Sequence, residues 1–154
     1  QPSGAGAPMG LNENHLRQIR KGMYEVVNHG SGTARGSRIT SPDHQMAGKT
    51  GTSQVISRRV KCDEVPWRQR DHALFVNYAP YDNPRIAVSI VVEHGCGGSS
   101  TAAPIARDIT LQALYGEDPP LSAYPARDRD RISAQQKRLR EMRPPAQGEE
   151  PERA

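Results

Sequence analysis

Two apolar segments separated by a short polar turn constrain the fold of this chain more than any other feature. The segments HALFVNYA, residues 72 to 79, and RIAVSIVVE, residues 85 to 93, are rich in β-branched and aromatic residues. Residues 80 to 84, PYDNP, contain the Pro, Asp and Asn that favour a tight reversal. The sequence therefore predicts an antiparallel hairpin. Its second strand has few polar residues, a pattern typical of a strand covered on both faces, so helices must pack against the sheet.

Helices are indicated on either side of this hairpin. Apolar residues recur at three- and four-residue steps between residues 11 and 28, which predicts an amphipathic helix with Asn12 as its N-cap. A hydroxyl residue among residues 99 to 101 is expected to cap a second helix that runs to about residue 115. The periodicity leaves open on which side of the sheet the first helix lies. The fold class is therefore predicted as α+β, an antiparallel sheet flanked by helices.

The two ends of the chain have a different character from its middle. Residues 1 to 10 are small and polar and are expected to form a flexible leader, and residues 11 to 115 are expected to fold. Residues 116 to 154 form a charged, Pro-rich tail that we expect to be mostly disordered. A short charged helix between about 128 and 143 is compatible with the pattern, but its three apolar residues are too few to dock it.

The composition excludes several classes of partner. The 154 residues carry a formal net charge of +4, with only one Phe and one Trp, and no basic run is interleaved with aromatic residues. A stacking platform for nucleic acid is therefore not expected. No window is apolar over the length that crosses a bilayer, and the first ten residues lack the pattern of a signal peptide.

The stretch MAGKTGTSQV, residues 46 to 55, fits two motifs that imply different chemistry. Gly48-Lys49-Thr50 matches the end of a phosphate-binding loop, G-x-x-x-x-G-K-[ST], but Asp43 stands where that loop needs its first glycine. A phosphate loop also opens a helix, whereas the hydroxyl-rich and β-branched residues here predict a strand at about residues 50 to 57. The sequence therefore favours Lys49-Thr50-Gly51, a triplet found at acyl-transfer sites.

A Lys-Thr-Gly triplet at the start of a strand combines properties that an acyl-transfer site needs. The ammonium of Lys49 beside the hydroxyl of Thr50 is able to bind a substrate carboxylate. Gly51 lacks a side chain, so an extended peptide or acyl group can approach the strand backbone. Thr52 offers its N–H to a developing oxyanion and its hydroxyl to the same carboxylate. Lys49, Thr50, Gly51 and Thr52 are therefore the predicted catalytic residues, and Lys49, Thr50 and Thr52 the predicted substrate-binding residues.

Four separated segments carry a resemblance to a known family. They are Gly22 to Val27 with Gly32-Thr33-Ala34, Ala47 to Gln54, Asp71 to Phe75 with Tyr78-Ala79-Pro80, and Ile86-Ala87-Val88 through Val92-Glu93. In order and spacing the chain resembles the C-terminal part of the transpeptidase domain of class B penicillin-binding proteins, most closely the elongation-type penicillin-binding protein 2. The resemblance covers about residues 11 to 115, and the tail after residue 116 has no counterpart in it.

This resemblance implies a serine acyl-transferase that cross-links peptidoglycan. In that family a serine attacks the D-Ala-D-Ala end of a stem peptide, releases D-alanine and passes the acyl group to an amine, and penicillin acylates the same serine. Members carry S-x-x-K, S-x-N and Lys-Thr-Gly in that order. No serine here stands three residues before a lysine or two before an asparagine, and Tyr81-Asp82-Asn83 is explained as a turn. The chain is therefore expected to be inactive alone, with the nucleophile in upstream sequence or on another chain.

The resemblance also implies a location and partners. We expect a periplasmic protein anchored to the inner membrane through a segment outside this chain. Its expected partners are peptidoglycan stem peptides, β-lactams, the remainder of the transpeptidase domain, and membrane wall-synthesis partners such as a glycan polymerase. No cofactor, metal or nucleic acid is expected. The alternative is a non-catalytic penicillin-binding-like module that scaffolds wall synthesis, and an upstream S-x-x-K motif would discriminate the two.

Cys62 and Cys96 leave three interpretations open. If the three predicted strands alternate in direction, these cysteines, His72 and His94 fall near one edge of the sheet, away from Lys49. A disulfide between Cys62 and Cys96 suits an exported protein. A zinc site built from all four residues is the second interpretation, although the usual C-x-x-C pairing is missing. Two free thiols are the third.

Overall fold

The described residues form three helices and one three-stranded antiparallel sheet. The computed structural model describes residues 10 to 57 and 61 to 142, so the predicted leader falls outside it except for Gly10. The α+β fold predicted from the sequence is confirmed. Its helices and strands are α1 (Glu13–Asn28), β1 (Ala47–Ser53), β2 (His72–Ala79), β3 (Ile86–Val92), α2 (Ala103–Tyr115) and α3 (Arg129–Met142), and the strand order is β1-β2-β3.

Helix α1 is fixed at both ends. Asn12 caps its start as predicted, because its side chain accepts hydrogen bonds from the N–H groups of Asn14 and His15 at 2.9 and 3.3 Å. At the other end Val27 is fully buried, and the side-chain amide of Asn28 donates to the Met46 carbonyl at 2.9 Å. The last turn of α1 is therefore held against the start of β1.

The hairpin of β2 and β3 presents one covered face and one open face. Ala73, Phe75 and Ala79 on β2 are fully buried, and the amide of Asn77 donates to the hydroxyl of Thr110 on α2 at 2.8 Å. The alternate residues point the other way, and Val76 and Val91 are 44% and 60% exposed. The expected coverage of both faces of the second strand is therefore corrected, because α2 covers only one of them.

Strand β1 spans Ala47–Ser53 rather than the expected residues 50 to 57, so the Lys-Thr-Gly triplet lies within the strand and not at its start. The reason is a close contact between β1 and β2 that the sequence did not indicate. Ala47 and Gly48 are buried, and a Cβ atom on Gly48 would lie 2.6 Å from Cζ of Phe75. Two small residues thus let the strand begin at Ala47, before the position expected from the sequence.

A π-helical turn, Gly98–Ala102, joins the end of β3 to α2. The prediction that a hydroxyl residue among residues 99 to 101 caps α2 is wrong, because these residues lie inside this turn and Ala102 precedes α2 without a side-chain cap. Within the turn the N–H of Thr101 donates to the Gly97 carbonyl at 2.9 Å. At the other end Gly116 adopts φ of 71°, the left-handed conformation that ends many helices. The turn lies directly on β1 and β2, since a Cβ atom on Gly98 would lie 2.5 Å from the Gly51 carbonyl oxygen and closer still to that of Leu74.

The loop between β1 and β2 is fastened to the connection between β3 and α2. Cys62 and Cys96 are joined by a disulfide, with Cα atoms 5.7 Å apart. The N–H of Cys96 also donates to the Asp71 carbonyl at 2.9 Å, and Nδ1 of His94 lies 2.9 Å from the Arg70 carbonyl. Among residues 10 to 57 and 61 to 142 no group of three or more His, Cys, Asp or Glu side chains could hold a metal ion. A zinc site at the two cysteines is inconsistent with this arrangement because the disulfide occupies both sulfurs.

The chain after α2 is folded as far as Met142, which corrects the expectation that residues 116 to 154 are mostly disordered. Tyr124 and Ile132 are 3% exposed, and the buried amide of Gln136 donates to the Pro119 carbonyl at 2.8 Å. The three apolar side chains of α3 are not its only contacts with the rest of the fold. Hydrogen bonds and the buried ring of Tyr124 also hold this segment in place. Residues 143 to 154 lie outside the described residues.

A buried arginine links this segment to α2. Arg107 is fully buried; its Nε atom lies 2.8 Å from Asp108 and its Nη1 atom 2.5 Å from Asp128. The guanidinium carbon also lies 5.2 Å from the centroid of the Tyr124 ring. Burial raises the pKa of Tyr124 to about 12, so the ring beneath the guanidinium stays neutral at ordinary pH. Burial also raises the pKa of Asp108, against the opposing attraction of Arg107.

The substitution Asp128→Asn tests the importance of this ion pair. We expect it to lower the free energy of unfolding by about 3 kcal/mol, because the charge of Arg107 stays buried without its nearest carboxylate. Urea unfolding followed by circular dichroism measures the change. The matched control is Asp130→Asn, an exposed position on α3 where a change within about 0.5 kcal/mol is expected. Equal stability of the two variants would contradict the prediction.

Removal of the disulfide by Cys62→Ser with Cys96→Ser should lower the free energy of unfolding by about 3 to 4 kcal/mol. The bridge closes a loop with a sequence separation of 34, and its loss gives the unfolded chain that conformational freedom back. Thiol titration under denaturing conditions provides an independent check. No thiol should react without reductant and both should react with it, so two reactive thiols in the untreated protein would show that the bridge is absent.

Candidate active site at the edge of the sheet

Strand β1 lies at an edge of the described sheet and pairs only with β2. On the other side of an edge strand, alternate backbone N–H and C=O groups have no partner in the sheet. The predicted site residues Lys49, Thr50, Gly51 and Thr52 all lie within this strand. An extended peptide can therefore add alongside them by main-chain hydrogen bonds.

Lys49 places a cation at this edge. Its side chain is exposed, and its ammonium donates to the Thr50 carbonyl at 2.8 Å. No ion pair among residues 10 to 57 and 61 to 142 includes it. The ammonium is thus held close to the strand backbone, with its charge available to an anionic ligand.

The two threonine hydroxyls lie on the other face of β1. Thr50 is opposite Phe75 in the register and Thr52 is opposite Ala73, whereas Lys49 is opposite Val76. Since side chains alternate along a strand, Thr50 and Thr52 share one face and Lys49 starts from the other. Its ammonium donates to the carbonyl of Thr50, so the cation stays beside the backbone of this strand. The cation and the hydroxyls therefore lie along the same stretch of β1, starting from its two faces.

The backbone at Gly51 is in close contact with the turn that precedes α2 and with β2. A Cβ atom on Gly98 would lie 2.5 Å from the Gly51 carbonyl oxygen and 3.0 Å from its nitrogen, so the turn before α2 rests directly on the strand. A Cβ atom on Gly51 itself would lie 3.2 Å from Cβ of Leu74. Gly51 therefore serves the packing of the sheet as well as leaving the strand backbone bare.

Thr33 is a residue of this region to which the sequence assigned no role. It lies in the loop after α1, and its hydroxyl oxygen is 3.4 Å from the hydroxyl oxygen of Thr50. The only sequence signal was its membership of the Gly32-Thr33-Ala34 segment that supports the family resemblance. The contact arises from the way α1 and β1 pack, which residue spacing does not reveal.

Two competing motifs receive structural explanations. Gly48-Lys49-Thr50 lies within a strand and not between a strand and a helix, which is inconsistent with a phosphate-binding loop. Tyr81-Asp82-Asn83 lies in the turn between β2 and β3, as expected. There the N–H of Tyr81 donates to the Gln45 carbonyl at 2.8 Å, and its ring centroid is 4.6 Å from that of Tyr24.

The disulfide and its neighbouring histidines lie at one end of the sheet. Ser53, the last residue of β1, pairs with His72, and the ring centroids of His72 and His94 are 4.8 Å apart. Lys49 precedes Ser53 by four residues, or about 13 Å of extended strand. The register confirms the prediction that these residues fall at one end, away from Lys49. They support the end of the strand and do not form part of the candidate site.

Comparison with known proteins identifies the family. Residues 9 to 111 match the penicillin binding protein transpeptidase domain. The peptidoglycan D,D-transpeptidase MrdA of Haemophilus influenzae is 38% identical over 109 residues, which are 68% of this chain and 17% of that protein. MrdA of Acinetobacter baumannii is 42% identical over 97 residues, which are 60% of this chain and 14% of that protein.

Solved structures agree with this assignment. The complex between PBP2 and MreC from Helicobacter pylori aligns with a TM-score of 0.56 and 37% identity, over 69% of this chain and 18% of that one. Pseudomonas aeruginosa PBP2 in complex with WCK 5153 aligns with a TM-score of 0.55 and 34% identity, over 74% of this chain and 22% of that one. The chain thus spans less than a quarter of these relatives. Since the family match covers more than half of its own residues, the chain belongs to the family of penicillin-binding protein transpeptidase domains and constitutes a part of such a domain.

Proposed function

We propose that this chain forms one wall of the active site of a peptidoglycan D,D-transpeptidase. The observation that carries the proposal is the free edge of β1, where Lys49, Thr50 and Thr52 bring a cation and two hydroxyls to unpaired backbone. Such an edge suits a substrate that is extended, peptide-like and terminated by a carboxylate. The D-Ala-D-Ala end of a stem peptide has these three properties.

Each predicted residue has a separate task in this proposal. The stem peptide lies along the free edge of β1, and its terminal carboxylate is bound by the ammonium of Lys49 and the hydroxyls of Thr50 and Thr52. The N–H of Thr52 donates to the oxyanion that develops at the carbonyl under attack. The bare backbone at Gly51 allows close approach of the substrate. These groups bind and orient the substrate, and none of them is the nucleophile.

The reaction requires a serine from outside this chain. That serine attacks the carbonyl carbon of the penultimate D-alanine, the bond to the terminal D-alanine breaks, and the departing amine takes a proton. An acceptor amine then attacks the resulting ester, forms the cross-link and returns the serine. A β-lactam undergoes only the first of these two steps: it acylates the serine, and its opened ring stays attached to that serine. Since no serine here fits S-x-x-K or S-x-N, we expect the chain to be inactive by itself.

Exposed apolar side chains and a second open sheet edge support the proposal that this chain works together with other parts of the transpeptidase domain. Val91 and Ile19 are each 60% exposed and Val76 is 44% exposed. Within the described sheet the second edge of β3 also has no pairing strand. Exposed apolar faces and open sheet edges are unfavourable in water, and burying them against another part of the protein relieves both. We assign that role to the remainder of the transpeptidase domain.

The expected location and partners also belong to this proposal. None of the helices in residues 10 to 57 and 61 to 142 is both long and apolar enough to cross a membrane. The Cys62–Cys96 disulfide supports an oxidising compartment, in agreement with a periplasmic protein anchored by a segment outside this chain. Peptidoglycan stem peptides and β-lactams are the proposed ligands. A membrane partner of wall synthesis, such as a glycan polymerase, is the proposed protein contact.

The substitution Lys49→Ala in the full-length parent protein tests the proposal. We expect the rate of acylation by a fluorescent penicillin to fall about ten- to a hundredfold, because the carboxylate of the drug loses a charge-assisted hydrogen bond. The rate is measured from labelled protein after timed incubation and electrophoresis. The matched control is Lys61→Ala, which removes an exposed lysine near the disulfide and should leave the rate unchanged.

Two outcomes would contradict this function in different ways. A Lys49→Ala variant labelled as fast as the wild type would remove Lys49 from the site. A parent protein that is never labelled, and that lacks a serine three residues before a lysine upstream, would support the non-catalytic scaffold instead.

A further inference from the structure

We infer that Thr33 is a positioning residue that orients the hydroxyl of Thr50 toward the substrate carboxylate. The inference rests on the proposed function and adds a residue to its carboxylate site. The Oγ1 atoms of Thr33 and Thr50 are 3.4 Å apart, and they come from two separate elements, the loop after α1 and the edge strand β1. Thr33 is exposed and Thr50 half-buried, so the pair lies open to a ligand.

The direction of the hydrogen bond follows from the chemistry of the ligand. A threonine hydroxyl has one hydrogen to donate and lone pairs with which to accept. An ionised carboxylate only accepts, so Thr50 must direct its hydrogen toward the carboxylate. Its lone pair is then free to accept the hydrogen of Thr33. The hydroxyl of Thr33 thereby selects the one orientation of Thr50 that binds the carboxylate.

The backbone around Thr33 is fixed tightly enough for this role. A Cβ atom on Gly32 would lie 2.5 Å from the carbonyl oxygens of both Glu25 and Val26, so this loop returns directly against the end of α1. The N–H of Ala34 donates to the Val26 carbonyl at 2.9 Å, and Ala34 is 1% exposed. Thr33 is therefore an exposed side chain held between two constrained neighbours.

The segment after α2 also holds this loop in place through hydrogen bonds. The guanidinium of Arg127 donates to the Gly36 carbonyl at 2.8 Å, and a side chain on Gly36 would collide with that guanidinium. The N–H of Thr40 donates to the Ala123 carbonyl at 2.9 Å, and its hydroxyl donates to the carbonyl of Ser122. Thus residues beyond the family-matched region, which ends at residue 111, help to hold the loop that carries Thr33.

Acylation kinetics of the full-length parent protein with fluorescent penicillin test this inference. We expect Thr33→Val to slow acylation about three- to tenfold, and Thr33→Ser to stay within about twofold of the wild type, because serine keeps the donor. Ser31→Ala is the matched control, since it removes another exposed hydroxyl of the same loop, one that contacts His29. Should Thr33→Val fail to fold, Thr33→Ala removes the hydroxyl with less steric change and must show the same slowing.

Two further measurements separate positioning from a general structural effect. In a Thr50→Val background, Thr33→Val should cause no additional loss, because its hydrogen-bond partner is already absent. With a penicillin methyl ester, which carries no carboxylate anion, the slowing by Thr33→Val should largely disappear. A Thr33→Val variant as fast as the wild type, or one slowed equally with acid and ester, would overturn the inference and leave the proposed function intact. A wild-type parent that is not acylated would overturn both.

Discussion

The pairing of β1 with β2 on one side only is the constraint on which the candidate site depends. It orders the Lys-Thr-Gly-Thr run as a strand and leaves the opposite edge open to an extended ligand. The pairing requires small residues, since Gly48 lies against the ring of Phe75 and Gly98 rests on the backbone of Gly51. A larger residue at Gly48 or Gly98 would displace the strand, and with it the cation and hydroxyls that the strand carries.

The surroundings of β1 fix the strand at both ends. At its start, Asn28 of α1 donates to the Met46 carbonyl. Beyond its end, the N–H of Val55 donates to the carboxylate of Asp71 at 3.0 Å, and the Asp71 carbonyl accepts the N–H of Cys96, which is held by the disulfide. A site that binds an extended peptide benefits from such an arrangement, because an edge already ordered loses little entropy when the peptide adds to it.

The segment after α2 adds a second layer of support. It is anchored by a fully buried arginine, and burial of that charge is tolerated because Asp108 and Asp128 pair with it and the ring of Tyr124 packs against it. From this anchor the segment reaches the loop of residues 33 to 40 through Arg127. The part of the chain outside the family match is therefore joined by direct contacts to the part that carries the candidate site.

The sequence by itself determined the hairpin, the first helix with its Asn12 cap, and the family, because hydrophobic period, turn residues and motif order are local or ordered along the chain. It also identified Lys49, Thr50, Gly51 and Thr52 as the candidate site. Only the tertiary structure decided where β1 begins, that the segment up to Met142 folds, and that Thr33 meets Thr50. These features depend on contacts between residues far apart in sequence: Gly48 with Phe75, Arg107 with Asp128, and the loop after α1 with the strand edge. No local pattern encodes them, because each arises only when separate elements pack together.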